Sequence, residues 1–249
     1  MFPLHDDNPL LTTPFVTVAI IALNVLVWLV VQGMGSEPAL SHSVCAYGLI
    51  PGELLGHLRP GTRVPLGPHV ACVIDAPNWA TAITSMFMHG SWFHLIGNMW
   101  FLWVFGNNVE DSIGHGRFAL FYVICGLAAA AVQTAMNPGS RLPMVGASGA
   151  IGGVMGAYLV LHPGARVLTA IVLGFFIRTV WVPAWLMLGY WFLLQFLGGV
   201  PSIGSDEGGV AFWAHIGGFA AGAVLAFILR GPTRAPRQAP GMAPWRAPL

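Results

Sequence analysis

The sequence predicts an all-α polytopic membrane protein with six transmembrane helices, and three observations carry the prediction. Of 249 residues, 56% are hydrophobic and only 8% charged, whereas a soluble domain uses roughly 25% charged residues to cover its surface. A helix that crosses a bilayer consumes about 20 apolar residues, so six would need about 120, close to the apolar supply. These residues also fall in runs of about that length, bounded by Gly, Pro and charge. Disorder is excluded by the same composition, because it needs low hydrophobicity and high net charge. The net charge is +1 and all ten basic residues are arginines, so a nucleic-acid partner would find no basic footprint.

The elements follow in order. Residues 1–13 read as a cytoplasmic N-terminal segment, 14–230 as the membrane domain and 231–249 as a disordered cytoplasmic tail rich in Pro and Arg. The first helix, Pro14 to Val31, is longer than the apolar core of a signal peptide. His5, Asp6 and Asp7 precede it instead of a basic stretch, so it is expected to be retained. A long external loop over 34–88 carries Pro51, Pro60, Pro65, Pro68, Pro77 and Trp79, and is expected to fold on the membrane surface. Cys45 and Cys72 both lie in it, on a side where a disulfide is permitted, but nothing in the sequence fixes their distance. With Cys125 they are too few and too scattered for a thiolate metal site.

Further spans are expected at 92–109, 118–136, 147–162, 182–198 and 211–229. Val167 to Trp181 is apolar too. Arg178 interrupts it and Pro183 follows, so it belongs to the fourth connection. With both termini cytoplasmic, Arg117, Arg166, Arg178, Arg230, Arg234, Arg237 and Arg246 are inside, against Arg59, Arg63 and Arg141 outside. That excess agrees with the positive-inside rule.

In this topology the second, fourth and sixth helices all begin at the external face, and each carries polar residues near its start. They are His89, His94 and Asn98, then Gly146-Ala147-Ser148-Gly149, then His215. Ionisable groups inside a membrane are costly and mark function by default. A serine hydroxyl is a weak nucleophile until a base takes its proton, and imidazole is the usual base near neutral pH. Ser148 and His215 fit those roles. Ser148 opens a helix, where free N–H groups and the dipole favour a developing oxyanion. His94 and Asn98, four residues apart, share a face and could supply further donors. Gly149, Gly152, Gly153 and Gly156 on helix four, with Gly218 and Gly222 on helix six, have the small-residue spacing that lets helices approach closely in lipid. Taken singly, each residue has an ordinary reading: a capping serine, a snorkelling histidine, an interhelical polar contact. Their shared depth is what favours chemistry.

The run His89-Gly90-Ser91-Trp92-Phe93-His94-Leu95-Ile96-Gly97-Asn98-Met99, then Gly106 to Glu110, Gly146 to Gly149 and Ala214-His215-Ile216-Gly217-Gly218 resembles the rhomboid intramembrane serine proteases. The likeness covers about residues 14 to 230, with the motifs in order. It implies cleavage of the transmembrane helices of other membrane proteins near the outer leaflet, by a Ser148–His215 dyad with no acidic third member. It implies an oxyanion hole made by His94, Asn98 and the Ser148 amide, with His89, Gly146, Gly149 and Gly218 in support. No metal and no cofactor is implied. The partners are transmembrane-protein substrates and the lipid bilayer, in a bacterial inner membrane with the polar layer facing outward; the oligomeric state stays open. Asp206 and Glu207 lie in the loop before helix six, and neither that helix nor helix four holds a carboxylate. Two positions depart from the family pattern. Gly152 stands where an aromatic usually supports the imidazole, so another aromatic, Trp213, is expected to compensate. Trp79-Ala80 replaces a Trp-Arg pair in the first loop.

Two other classes compete. A noncatalytic client-binding protein of this fold would have lost Ser148 or His215, and both are present. A metal protein or transporter would use His89, His94 and His215. Against these, His-Glu-x-x-His is absent and there is no evident inverted repeat or buried carboxylate.

Overall fold

The apolar runs become helices within a few residues of their expected bounds in the computed structural model, which describes residues 2–67, 70–174, 176–204 and 209–230. The expected tail, with Arg234, Arg237 and Arg246, lies outside the described residues, as do Asp206 and Glu207. A short strand β1 (Phe2–Asp6) precedes the first helix α1 (Phe15–Val30). The long loop folds into α2 (Ala39–Tyr47), α3 (Pro51–Leu54), an antiparallel pair β2 (Arg63–Pro65) and β3 (Ala71–Val73), and α4 (Thr81–Thr84). A disulfide joins Cys45 on α2 to Cys72 on β3, with Cα atoms 5.2 Å apart. Cys125 is free and buried.

The second apolar run is one continuous helix in three parts: α5 (Trp92–Phe101), a π-helical turn at Leu102–Gly106 and α6 (Asn107–Ile113). Gly114, at φ +86°, breaks it from α7 (His115–Met136), as a left-handed glycine commonly ends a helix. Then come α8 (Ser148–Leu161), α9 (Ala184–Gly199) and α10 (Phe212–Leu229). The segments His115–Met136, Ala184–Ser202 and Phe212–Leu229 are long and apolar enough to cross a membrane, while α1 and α8 are apolar but shorter. The chain is a predominantly helical membrane protein.

The all-helical expectation needs one correction. Residues Arg166–Leu173 and Phe176–Pro183 form strands β4 and β5, and β1 adds to β4 to make a three-stranded antiparallel sheet in the order β1-β4-β5. The physical reason is composition: Val167, Thr169, Ile171, Val172, Ile177, Thr179 and Val180 are β-branched and favour the pleated conformation. The segment, read from the sequence as the fourth connection, is a strand pair between α8 and α9.

Helix α8 is the centre of the molecule. Every residue from Gly149 to Tyr158 is buried, between α7 and α10. Its glycines remove the side chains that would hold those helices away. A Cβ on Gly153 would lie 2.5 Å from the Cβ of Cys125 on α7, and one on Gly156 only 2.1 Å from the carbonyl oxygen of Phe219 on α10. In lipid, where hydrophobic driving force between helices is lacking, this close packing is a main source of association.

At the far end of α8 the N-terminal segment is tied down. The Tyr158 hydroxyl donates to the Asp6 carboxylate, and Asn108 Nδ2 donates to Asp6 Oδ2 at 2.7 Å. Burial raises the Asp6 carboxyl above its ordinary range, with the hydrogen bond from Tyr158 opposing that shift. Next to it, Asp7 accepts from the Arg166 amide at 2.7 Å and from its Nε at 3.0 Å. Glu110 on α6 takes the Val16 and Thr17 amides, at 2.9 and 2.7 Å. It thereby satisfies N–H groups that the first turn of α1 leaves open.

Candidate active site

Three helix N-termini converge on one polar layer. Ser148 is the first residue of α8, His215 lies in the first turn of α10 and His94 in the first turn of α5. The local sequence explains each start. The Ser91 hydroxyl caps α5 by accepting the His94 amide at 3.2 Å. Gly146 precedes α8 with φ +124°, a region that L side chains rarely adopt. On α10, the Ala214 amide is taken by Gln133 Oε1 of α7 at 3.1 Å.

Ser148 Oγ and His215 Nε2 are 2.7 Å apart, within hydrogen-bond reach of a nucleophile and its base. The spacing follows from backbone packing, since a Cβ on Gly152 would come 2.9 Å from the carbonyl oxygen of His215. Gly149 and Gly218 serve the same approach. A Cβ on Gly149 would meet Ala129 of α7 at 2.6 Å, and one on Gly218 would meet the Gly149 carbonyl oxygen at 1.9 Å.

His94 and Asn98 face the loop before Ser148. A Cβ on Gly146 would stand 2.7 Å from His94 Nε2 and 3.5 Å from Asn98 Nδ2, so Gly146 leaves room for both side chains at the mouth of α8. The Gly90 amide donates to His94 Nδ1 at 3.4 Å, which leaves Nε2 as the N–H of the neutral ring. Asn98 Nδ2 is buried without a hydrogen-bond partner among the described residues. An unmet donor of this kind costs about 1–3 kcal/mol, and a ligand oxygen could relieve it. His89 is fully buried and packs edge-on against His94, with ring centroids 5.1 Å apart. Its main chain is clasped by Gln32, whose Nε2 donates to the His89 carbonyl and whose Oε1 accepts its amide, both at 2.8 Å. His89 therefore borders the layer through ring packing and does not reach Ser148 or His215 by any hydrogen bond recorded among the described residues.

The expected aromatic is a different one. Trp213 turns away, giving its Nε1–H to the Gly199 carbonyl at 2.9 Å and packing on Phe196. Trp191 of α9 covers the imidazole instead, with centroids 5.7 Å apart and planes inclined by 35°. One turn further on, Gln195 Oε1 lies 2.7 Å from His215 Nδ1. The sequence reading passed over Gln32, Gln133, Trp191 and Gln195. For Gln195 the missed signal was an amide inside an otherwise apolar span, four residues after a tryptophan.

A small pocket beside Ser148 is walled by Ala82, Ser85, Gly126, Ala129, Met144 and Ala214. A wider groove adjoins it, bordered by Leu40, Leu66, Gln133, Met144 and Val210. Among the described residues no three His, Cys, Asp or Glu side chains form a group that could hold a metal ion.

Comparison with known sequences meets this geometry. The family model described as the Rhomboid domain matches residues 76–232, which include all of the polar layer. The chain is 31% identical over 157 residues to Rhomboid-like protein 11, chloroplastic, of Arabidopsis thaliana, covering 61% of this chain and 53% of that one. It is 30% identical over 168 residues to Rhomboid protease GluP of Bacillus subtilis (strain 168), covering 68% and 32%. With Rhomboid protein 1, mitochondrial, of Saccharomyces cerevisiae it shares 28% identity over 151 residues, covering 59% and 41%. The matched stretch thus spans between about a third and about half of the length of these relatives.

Proposed function

The chain belongs to the rhomboid family of membrane proteins, and from that premise we propose that it is an intramembrane serine endopeptidase, hydrolysing peptide bonds in or near transmembrane helices of other membrane proteins. The contact of 2.7 Å between Ser148 Oγ and His215 Nε2 carries the proposal. Ser148 Oγ attacks the scissile carbonyl while its proton passes to Nε2. The carbonyl π pair moves to the oxygen. His215 then gives the proton to the departing amide nitrogen, and a water activated by the same imidazole hydrolyses the acyl-enzyme.

The oxygen that gains charge is met by the Ser148 amide at the N-terminus of α8, by Asn98 Nδ2 and by His94 Nε2–H. Donors fixed in advance stabilise the transition state more than the substrate. The unpartnered state of Asn98 Nδ2 supports this role.

We read six spans, namely α1, α5 through α6, α7, α8, α9 and α10, with both termini cytoplasmic and the polar layer toward the outside. The arginine distribution supports this orientation. Because the pocket beside Ser148 is walled largely by Ala, Ser and Gly, a small side chain next to the scissile bond is favoured. The substrate helix must also unwind locally, since a peptide bond inside a helix is engaged in backbone hydrogen bonds that lipid cannot replace.

Labelling with a fluorophosphonate probe, followed by mapping of the modified residue, tests the proposal. Label is expected on Ser148, and Ser148→Ala and His215→Ala should each abolish cleavage of a model transmembrane substrate in a folded protein. Full activity in Ser148→Ala would remove the serine mechanism. Substrate binding with neither label nor cleavage would instead identify a noncatalytic client-binding protein.

A further inference from the structure

A neutral imidazole can serve as a base toward Ser148 only in one of its two tautomers. Nε2 must hold the lone pair and Nδ1 the proton, and what decides between them is the group that faces Nδ1. Here that group is the side-chain oxygen of Gln195, at 2.7 Å. An amide oxygen only accepts, so Nδ1 is the donor and Nε2 is left free toward Ser148.

The amide could in principle present its NH2 group to the ring, and that would force the proton onto Nε2 and block the serine. Its own surroundings fix it the other way. Gln195 Nε2 lies 3.4 Å from the carbonyl oxygen of Trp191, one turn earlier on the same helix, and donates to it. Gln195 is buried, and burying a primary amide in an apolar span is unfavourable unless both of its ends are bonded. Both ends are.

Trp191 fixes the remaining freedom of the ring. It lies over the imidazole and also stacks on Phe219 of α10 at 6.2 Å and 30°, so the indole packs along the face of α10 that carries His215. Helix α8 has no room for this function. Gly152 faces the backbone of His215 at a distance where even a methyl group would press on the carbonyl oxygen at 2.9 Å. Support for the ring must therefore come from α9.

We infer that Gln195 and Trp191 of α9 are the positioning residues of His215, Gln195 as an uncharged acceptor that sets the tautomer and Trp191 as the plate that sets the ring plane. The inference rests on the Ser148–His215 reading. Gln195 takes no proton at any step, because a neutral amide oxygen is far too weak a base; the proton from Ser148 stays on Nε2 until the leaving nitrogen receives it. The ionisable group that faces the imidazole from α5 is His94, while α8 and α9 face it with the uncharged Ser148, Trp191 and Gln195.

The test uses the full-length protein in proteoliposomes with a model transmembrane substrate. Gln195→Leu keeps the volume and removes the acceptor. It should lower kcat roughly 10- to 100-fold, a fraction of what general acid–base catalysis supplies, with KM within about twofold. Gln195→Glu keeps an acceptor at the same place and adds charge, so it should retain cleavage and move the acid limb of kcat to higher pH by favouring the imidazolium. In 15N spectra of the histidine-labelled protein, the His215 signals should report a single Nδ1–H tautomer that becomes a mixture in Gln195→Leu. A Gln195→Leu protein with parental kcat and an unchanged tautomer would overturn the inference, and so would a Gln195→Glu protein whose acid limb does not move. If Gln195→Leu fails to fold, the Gln195→Glu profile decides alone. The two levels separate cleanly. Parental cleavage by Ser148→Ala would sink the protease reading itself, whereas an inactive Ser148→Ala beside indifferent Gln195 variants would sink only the role of α9.

Discussion

A Cβ atom built on Gly218 would stand 1.9 Å from the carbonyl oxygen of Gly149. Gly149 follows Ser148 directly, and Gly218 lies one turn after His215. The distance between hydroxyl and imidazole is therefore set by two backbones in contact, with no side chain between them to adjust it.

Gly218→Val should consequently separate α8 from α10. Overpacking of a close-packed site costs typically 1–3 kcal/mol, and a displacement of about 1 Å at a reacting centre can cost about 100-fold in rate. Thermal unfolding in micelles should show a lower Tm, and cleavage should fall further than stability. Gly189→Ala is the control, because nothing lies within 4 Å of a Cβ there. Equal behaviour of the two variants would contradict this packing argument.

Asn98→Ala removes one donor from the proposed oxyanion site. Single-donor deletions elsewhere cost about 100- to 1,000-fold in kcat, and a loss near the lower end is expected here because His94 and the Ser148 amide remain. KM should change little. Steady-state kinetics with parental kcat would exclude Asn98 from that site.

Cleavage should decline on the acid side as His215 takes up a proton and loses the lone pair that faces Ser148. The rate should level off once the ring is neutral. A rate that shows no acid limb anywhere in the range over which the protein stays folded would be incompatible with an imidazole base.

Asp6 and Asp7 are neighbours with opposite expected behaviour. Burial raises the folded-state value of Asp6 above the ordinary 3.8, so ionising it costs stability as pH rises through that value. Asp6→Asn should thus keep or raise the Tm at pH 7. Asp7 is slightly desolvated, but the amide and guanidinium of Arg166 outweigh this and lower its value below 3.8. Its contribution is present above 3.8 and fades as pH falls through the folded-state value. Asp7→Asn should therefore melt below the parent at pH 7, with the gap narrowing near pH 3. A gap of the same size at both pH values would refute the coupling to Arg166.

Much of the site could be read from residue types and counting. Ser148, His215, His94 and Asn98 each lie within two turns of the start of an apolar run, and depth in a bilayer follows from residue number at a fixed rise per residue. The glycines of α8 and α10 announced a close contact, and the structure gives it. The support of the imidazole could not be found this way. Trp213, nearest in sequence, was the natural candidate, but two residues along a helix point in different directions. Its indole turns to Gly199.

The strands between α8 and α9 illustrate a second limit. Apolarity identified Val167 to Trp181 as unusual, and Arg178 and Pro183 kept it from being counted as a span. That β4 would pair with β1 from Phe2 to Asp6, more than 150 residues away in the chain, was not written in either segment. Strand pairing is a relation between segments, and each alone shows only its propensity.

Hydropathy and punctuation, then, determined the membrane character, the approximate bounds of the helices and the helix starts at which polar groups gather, because lipid forces each apolar run to satisfy its own backbone as a helix. Helix rotation is another matter. Which face of α9 meets α10, and hence that Gln195 supplies the partner of His215 Nδ1, is decided by packing among all the helices. A linear pattern of apolar residues does not hold that angle.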